Sequence, residues 1–507
     1  MEYYVTEACR SYLYYSHLDF FNKRLKSMIE KHNFDNVDYT SILTTVAEVF
    51  DQIYLPDFVV RFDSWLRKQP LSSRDRYEDY FKDECGKWRK YITKQNEFIE
   101  NLAAHICTSM LKNIDVCLTR LKTDFSEIQQ SLNIQETLSL RALEILGGDR
   151  HENGQQPILL TFNKEKVIYK PRDSGVESLL NSICQIAGIL PVCPQTLSKI
   201  THLWQAYIAN RPLECPTNAT KVYHRYGEIL AIADLLNIND CHFDNFIVDQ
   251  HQVYLIDAET SFQYYLDDNP EFERSIYQSG LLQSPDVDMN GIGHTSALTA
   301  ISSVFSSFAY PHAINDRSED IQVCYEGTYR KITKNYPHFD GKPVQGKTFS
   351  INVISGYENG YYRLISCADK ILSLIEYHRY TRPRYLIRTT AYYTLVLNKI
   401  IHPDTSQDFD SKFSPLINQY LNYDGAHPRF KELIPYESAC LAGYDIPIFF
   451  INCQSTSLYT HNNEEIKNFL PHTPLEQLKT NFSRPAEYFS RQRELITRSM
   501  HVHFERS

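Results

Sequence analysis

A chain of 507 residues, 42% apolar, 22% charged and 13% aromatic, has a globular composition and room for about three domains of roughly 150 residues. Intrinsic disorder, collagen-like repeats and small disulfide scaffolds are excluded. The 52 basic and 62 acidic side chains leave a net charge of -10, so there is no overall pull toward nucleic acid or anionic lipid.

Taken in chain order, residues 1–145 read mostly as helix. Segments such as YEDYFKDECGKWRKYITKQNEFIENLAAHICTSMLKNIDVCLTRLKTDFSEIQQSL place apolar residues three and four apart with almost no glycine or proline. The period then changes: ILLTF (158–162) and VIYK (167–170) predict a hairpin ended by Pro171. Helical pattern returns in VESLLNSICQIAGIL and HRYGEILAIADLLNIN, and FIVD and VYLID predict a second hairpin across Gln250–His251–Gln252. The remainder is mixed and mainly helical, with loop-like patches at 283–296, 336–349 and 403–428.

The expected organisation is a helical region at 1–145, a small lobe at 146–220 and a larger helical lobe at 221–507. The twelve cysteines include no CxxC pair, which argues against zinc ribbons and redox dithiols and fits a reducing cytoplasm. The N-terminus carries Glu2, Glu7 and Asp19 where a secretory signal needs a basic end, and no apolar run approaches the length of a membrane span. Glycine is scarce, at 17 residues, and neither GxGxxG nor GxxxxGK[ST] occurs, so a glycine-fingerprint nucleotide fold is disfavoured.

The chemistry concentrates in NDCHFDNFIV (239–248) and VYLIDAET (253–260). Asp240 and Asn245 stand five apart, and Asp257 closes the second strand of the hairpin. Phosphoryl transfer from ATP needs a group that orients or deprotonates the acceptor hydroxyl, and oxygen ligands that hold Mg²⁺ against the phosphates. An Asp and an Asn five apart, followed by a hairpin and an Asp, supply those parts in the kinase pattern. Here the loop reads D-x-H-x-x-N, with His242 two residues after the aspartate, as in lipid kinases. Lys170, at the end of VIYK, fills the place of the strand lysine that reaches the phosphates, and Glu177 is its candidate helix partner. Each residue alone fits a plainer reading, such as a capping aspartate or an exposed glutamate; together and in order they are far more specific. A metal site from Cys241, His242, His501 and His503 has no supporting ligand spacing.

Four ordered motifs carry a family resemblance. GGDRHENG…LLTFNKEKVIYKPR is similar to the GD-x-H…L-x-F…K-x-V-YKPR signature of the dehydratase domain of class II lanthipeptide synthetases, the LanM enzymes. RYGEILAIADLLNINDCHFDNFIVDQHQVYLIDAETSF resembles that family's R-x-G-x-x-LA…DLHYENII…LIDLETLF. YQSGLLQ resembles its R-TGLLP segment, and Arg384 to Tyr393 its R-x-x-x-R-x-T-x-x-Y segment.

That resemblance implies an α+β fold with a lipid-kinase-like two-lobed core and extensive additional helices. It also implies ATP and Mg²⁺ as cofactors and a precursor peptide as substrate, phosphorylated on Ser and Thr and then relieved of phosphate to give dehydroalanine or dehydrobutyrine. Carried over, Asp240 and His242 serve phosphorylation, Asn245 and Asp257 bind Mg²⁺, Lys170 contacts phosphate in both steps, and Arg384 and Thr390 serve elimination. Asp149 and His151 lie in the loop the family places beside the phosphates. Leu-His-Tyr-Glu-Asn becomes Cys241–His242–Phe243–Asp244–Asn245, which alters packing positions and keeps the polar ones. The zinc cyclase motifs of a full-length synthetase are absent, so the expectation is a stand-alone dehydratase without zinc, with a separate cyclase as candidate partner and 1–145 as a candidate leader-binding region. A kinase-only relative and a catalytically dead peptide-binding module are the alternatives.

Overall fold

The computed structural model describes residues 13–69, 76–80, 97–172, 174–266, 275–285, 295–298, 303–305, 308–327, 329–331, 334–344, 349–403, 409–422 and 428–505. The helical stretch expected at 81–96 lies outside them. The fold is mixed, with long helices and short antiparallel strands, and the chain divides into two compact units.

The first unit comprises residues 1–171, 308–327 and 387–447. Its helices α1 (Tyr15–Lys31), α2 (Thr40–Leu66) and α3 (Glu97–Leu132) realise the apolar stripes of the sequence. Leu18, Phe21, Leu25 and Ile29 of α1 are buried at helical spacing, as are Ile99, Ala103, Ile106, Met110 and Ile114 of α3. Phe58 and Phe62 of α2 stack on each other and meet Tyr77 and Tyr80 edge-on, the geometry that aromatic quadrupoles favour.

The helical reading of 1–145 ends early. Ala142–Ile145 is a strand, β1, paired antiparallel with β2 (Ile158–Thr161), which pairs in turn with β3 (Lys166–Lys170). Ala-Leu-Glu are good helix formers, but pairing with the β-rich ILLT decides the outcome. The hairpin of β2 and β3 is where the alternation predicted it.

The second unit comprises residues 172–307, 328–386 and 448–507. It contains α4 (Val176–Ile186), the hairpin of β4 (Thr196–Ser198) and β5 (Leu203–Ala206), and α5 (Ala219–Leu235). The predicted hairpin of β6 (Phe246–Asp249) and β7 (Gln252–Leu255) follows, then α6 (Phe349–Ser366) and α7 (Ala368–Tyr377). A sheet of four short strands joins segments far apart in sequence: β8 (Arg384–Tyr385), β9 (Phe449–Ile451), β10 (Leu458–Thr460) and β11 (Glu465–Ile466). Helices α8 (Pro474–Phe482) and α9 (Ala486–Glu505) complete it. Part of the loop-like patch at 336–349 is a two-residue-per-strand hairpin, His338–Phe339 with Lys342–Pro343.

Helix α5 is the spine of this unit, buried on almost every face from Val222 to Leu235. It lies against α6 with no room for side chains at the crossing: a Cβ on Gly356 would overlap His224 O, and one on Gly227 would overlap Val353 O. One carboxylate is buried beside the crossing. Asp234 accepts hydrogen bonds from the Tyr357 hydroxyl at 2.8 Å and the Tyr488 hydroxyl at 2.6 Å, so its oxygens are satisfied. Replacing Gly356 by alanine forces backbone apart from backbone, and a loss of about 3 kcal/mol is expected in urea unfolding. Ser355→Ala, on the exposed side of the same helix, should leave the midpoint unchanged.

Candidate functional site

Residues 236–263 build the site, and two neighbouring segments hold them in place. Helix α5 ends at Leu235, and Asn237 turns the chain with φ 51° while fully buried. Its amide donates to Gln263 O at 2.7 Å and Gln477 Oε1 at 2.9 Å, and its Oδ1 accepts from Asn481 Nδ2 at 2.6 Å. The loop after it is tied to the segment after β7. Asn239 N–H donates to Thr260 O at 3.1 Å, and the Thr260 hydroxyl donates to Asn239 O at 2.7 Å. The Tyr265 hydroxyl bonds Asn239 Oδ1.

Asp240 adopts φ 59°, a left-handed conformation that Asp and Asn tolerate better than most residues and that recurs at functional sites. Its carbonyl accepts from His242 N–H at 2.8 Å and from Asn245 Nδ2 at 2.8 Å, which draws both ends of D-x-H-x-x-N together. The motif YQSGLLQ explains itself here. Cys241 N–H donates to Ser279 O at 2.9 Å, and Gly280 (φ 76°) packs so closely that a Cβ would meet Cys241 N at 3.3 Å. Only glycine suits both the angle and the contact.

The Asp240 carboxylate and the His242 ring are each partly exposed, with Oδ1 and Nε2 3.6 Å apart. His242 Nδ1 accepts the Asp244 N–H at 3.2 Å, capping the turn Phe243–Asn245. That bond assigns the neutral ring its proton on Nε2, the nitrogen facing Asp240. At 3.6 Å the ring faces the carboxylate beyond hydrogen-bond range, and Asp240 is the group able to accept a proton from a hydroxyl. Cys241 between them is buried, and burial beside the Asp240 charge pushes its thiol well above the usual range, so it stays protonated and is a poor metal ligand or nucleophile.

Asn245 and Asp257 flank the open end of the hairpin. The ladder continues past Phe246 and Leu255 through Ile256 N–H to Asn245 O at 2.9 Å, which sets Asp257 beside Asn245. With the Asn245 amide nitrogen committed to Asp240 O, its Oδ1 accepts no hydrogen bond among the described residues. A carboxamide oxygen and a carboxylate are hard donors of the kind Mg²⁺ takes when phosphates and water complete its octahedron.

Glu259 was not singled out by the sequence. Its Oε1 accepts from Arg384 Nη1 at 2.9 Å, its backbone O accepts from Arg384 N–H at 2.7 Å, and its Oε2 lies 3.4 Å from Arg172 Nη2. Glu259 thus fixes Arg384, on β8, and Arg172, of YKPR, to the turn that follows Asp257. Its position two residues after Asp257 in the IDAET run was the available signal. Glu177 is buried in α4 and takes the Ser174 hydroxyl at 3.5 Å.

The second unit therefore carries Asp240, His242 and Asn245 on one loop, Asp257 at the end of the hairpin, and Arg384 tied to Glu259 two residues later. Lys170, Asp149, His151 and Thr390 belong to the first unit. Lys170 ends β3 and Thr390 opens the helix Thr390–Ile401, whose cap is Thr389. His151 is buried, and its Nδ1–H donates to Ile446 O at 2.8 Å; Asn153 and Gly154 N–H bond the Asp445 carboxylate at 2.7 Å and 3.1 Å. These contacts hold the GGDRHENG loop in one shape. Among the described residues no cluster of three His, Cys, Asp or Glu side chains could hold a metal, and no helix is long and apolar enough to cross a membrane.

A family model described as "Domain of unknown function (DUF4135)" matches residues 98–452. The lacticin 481/lactococcin biosynthesis protein LcnDR2 of Lactococcus lactis subsp. lactis is 25% identical over 418 residues, which cover 76% of this chain and 44% of that protein. The chain thus spans less than half the length of that relative. Both findings agree with the resemblance carried by the four motifs.

Proposed function

This chain belongs to the DUF4135 family, and from that premise we propose that it is a lanthipeptide-type dehydratase with a lipid-kinase-like core. It phosphorylates Ser and Thr of a ribosomal precursor peptide with ATP, then eliminates phosphate to leave dehydroalanine or dehydrobutyrine. The observation that carries the reading is the clamp of Asn239 on Thr260 and of Asn245 on Ile256. It ties Asp240, the proposed proton acceptor, to the same small scaffold as Asn245 and Asp257, the proposed oxygen pair. The similarity to a lantibiotic biosynthesis protein supports the choice of a peptide as substrate.

In the first step the substrate hydroxyl oxygen attacks the γ-phosphorus, its proton passes to Asp240, and ADP leaves. His242, whose Nε2 lies 3.6 Å from Asp240 Oδ1, serves the same step by orienting the carboxylate or the hydroxyl once substrate is bound. Asn245 Oδ1 and the Asp257 carboxylate would hold Mg²⁺, whose contribution is to neutralise charge on the phosphates. In the second step a base takes the α-proton, the C–H electrons form the new double bond, and the Cβ–O bond breaks with phosphate departing. Arg384, with Lys170 and Thr390, stabilises the leaving phosphate; an arginine fork suits this because it donates to two oxygens at once. Asp149 and His151 shape the loop assigned to the nucleotide phosphates. The test is incubation with ATP, Mg²⁺ and a Ser/Thr-bearing precursor peptide, read by intact mass: loss of water supports the reading, and a stable gain of phosphate alone would leave only its kinase half.

A further inference from the structure

The second unit has another concave feature, built from residues that this chemistry does not use. A cleft of about 450 Å³ is lined by Lys221, His224, Arg225 and Glu228 along one side of α5, by His251 and Gln252 at the turn of the β6–β7 hairpin, and by Asn352 and Arg363 of α6. Its size is that of a ligand site. Asn245 and Asp257 stand at the open end of the same hairpin and His251 at its closed end, six residues from each, so the cleft begins roughly 20 Å from the proposed metal pair.

Its charge is one-sided in a chain whose net charge is -10. Glu228, the only carboxylate among the lining residues, accepts from Arg225 Nη1 at 2.9 Å and is neutralised. Arg225 is buried and also donates to the carbonyls of Leu190 at 2.6 Å and Pro191 at 2.9 Å; its Nε–H has no partner among the described residues. Arg363 donates to Gly188 O at 2.6 Å. The side chains of Lys221, His224 and His251 make no hydrogen bond or ion pair among the described residues. With Arg225 paired to Glu228, the positive charge of the lining comes from Lys221 on α5 and Arg363 on α6, and Gln252, Asn352 and the His224 and His251 rings add groups that can pair with an extended backbone. No Phe, Tyr or Trp lines the cleft to stack a nucleobase.

We propose that this cleft docks an acidic segment of a peptide, holding it one short extended stretch away from the reacting Ser or Thr. The charge argument stands by itself; that the segment belongs to the substrate rests on the dehydratase reading. An extended chain of about six residues covers the separation.

The experiment uses the full chain and a fluorescein-labelled ten-residue peptide of Glu, Gly and Leu, with no Ser or Thr and no ATP, read by anisotropy. Binding is expected to weaken as salt rises from about 50 mM to about 300 mM. It should fall about tenfold in the double variant Lys221→Glu, His251→Glu, and by a smaller factor in Lys221→Gln, an exposed position where the swap costs the fold little. Asp240→Asn should bind as the wild type does. Unchanged binding by both cleft variants would overturn the proposal, as would equal binding of the same peptide with Lys for Glu. Displacement by inorganic phosphate at equal concentration would also overturn it, by making this a small-anion site. Because the peptide cannot be modified, a negative result here leaves the dehydratase reading to its own mass assay.

Discussion

Asp240→Asn is expected to leave a precursor peptide unmodified, with neither phosphate gained nor water lost. The side chain supplies the proton acceptor of the first step, and loss of a positioned acid or base costs about 10²–10⁴ in rate. The substitution isolates that role well. Asparagine tolerates the left-handed φ of 59° at this position, and the contacts that shape the loop are made by the Asp240 carbonyl, which receives His242 N–H and Asn245 Nδ2 whatever the side chain. The carboxylate is partly exposed, so thermal unfolding should be unchanged. Dehydration at the wild-type rate by a folded Asp240→Asn protein would remove Asp240 from the mechanism.

Arg384→Ala has the next largest expected effect, and of a different kind: phosphorylated peptide accumulates while loss of water slows about 10²–10³-fold, the range seen when one donor to a developing anion is removed. Arg384 also pairs with Glu259, so alanine removes that 2.9 Å ion pair and leaves the 3.4 Å approach of Arg172 in place. The control is Glu259→Gln. If Arg384 acts on the leaving phosphate, Glu259→Gln lowers both steps modestly and the phosphorylated peptide does not build up. If Arg384 only anchors the turn after Asp257, the two variants share a phenotype and its elimination role is wrong.

The parts of this molecule that could be read from sequence are those set by near neighbours. The hairpins of 158–170 and 246–255 follow from alternation broken by turn residues, and α4 and α5 from apolar spacing. The D-x-H-x-x-N loop was visible because its geometry is local: Asp240 O, His242 N–H and Asn245 Nδ2 close on one another within six residues. What was hidden depends on distant segments. Strand β1 looks helical until ILLT pairs with it, and the sheet of β8 to β11 joins Arg384 to residues beyond 448. Glu259 looked like an ordinary polar residue because its partners, Arg172 and Arg384, lie 87 and 125 positions away. The cleft was invisible for the same reason, since Lys221, His251 and Arg363 form no motif and share only a surface.

The measurement that bears most directly on the central claim is the intact mass of a Ser/Thr-bearing precursor peptide after incubation with this chain, Mg²⁺ and ATP, with fragmentation to locate the change. The account predicts loss of one water at each modified Ser or Thr, dependent on ATP, with phosphorylated peptide as a transient species. An unchanged mass under conditions where the chain is folded, or phosphate that persists with no loss of water, would contradict it.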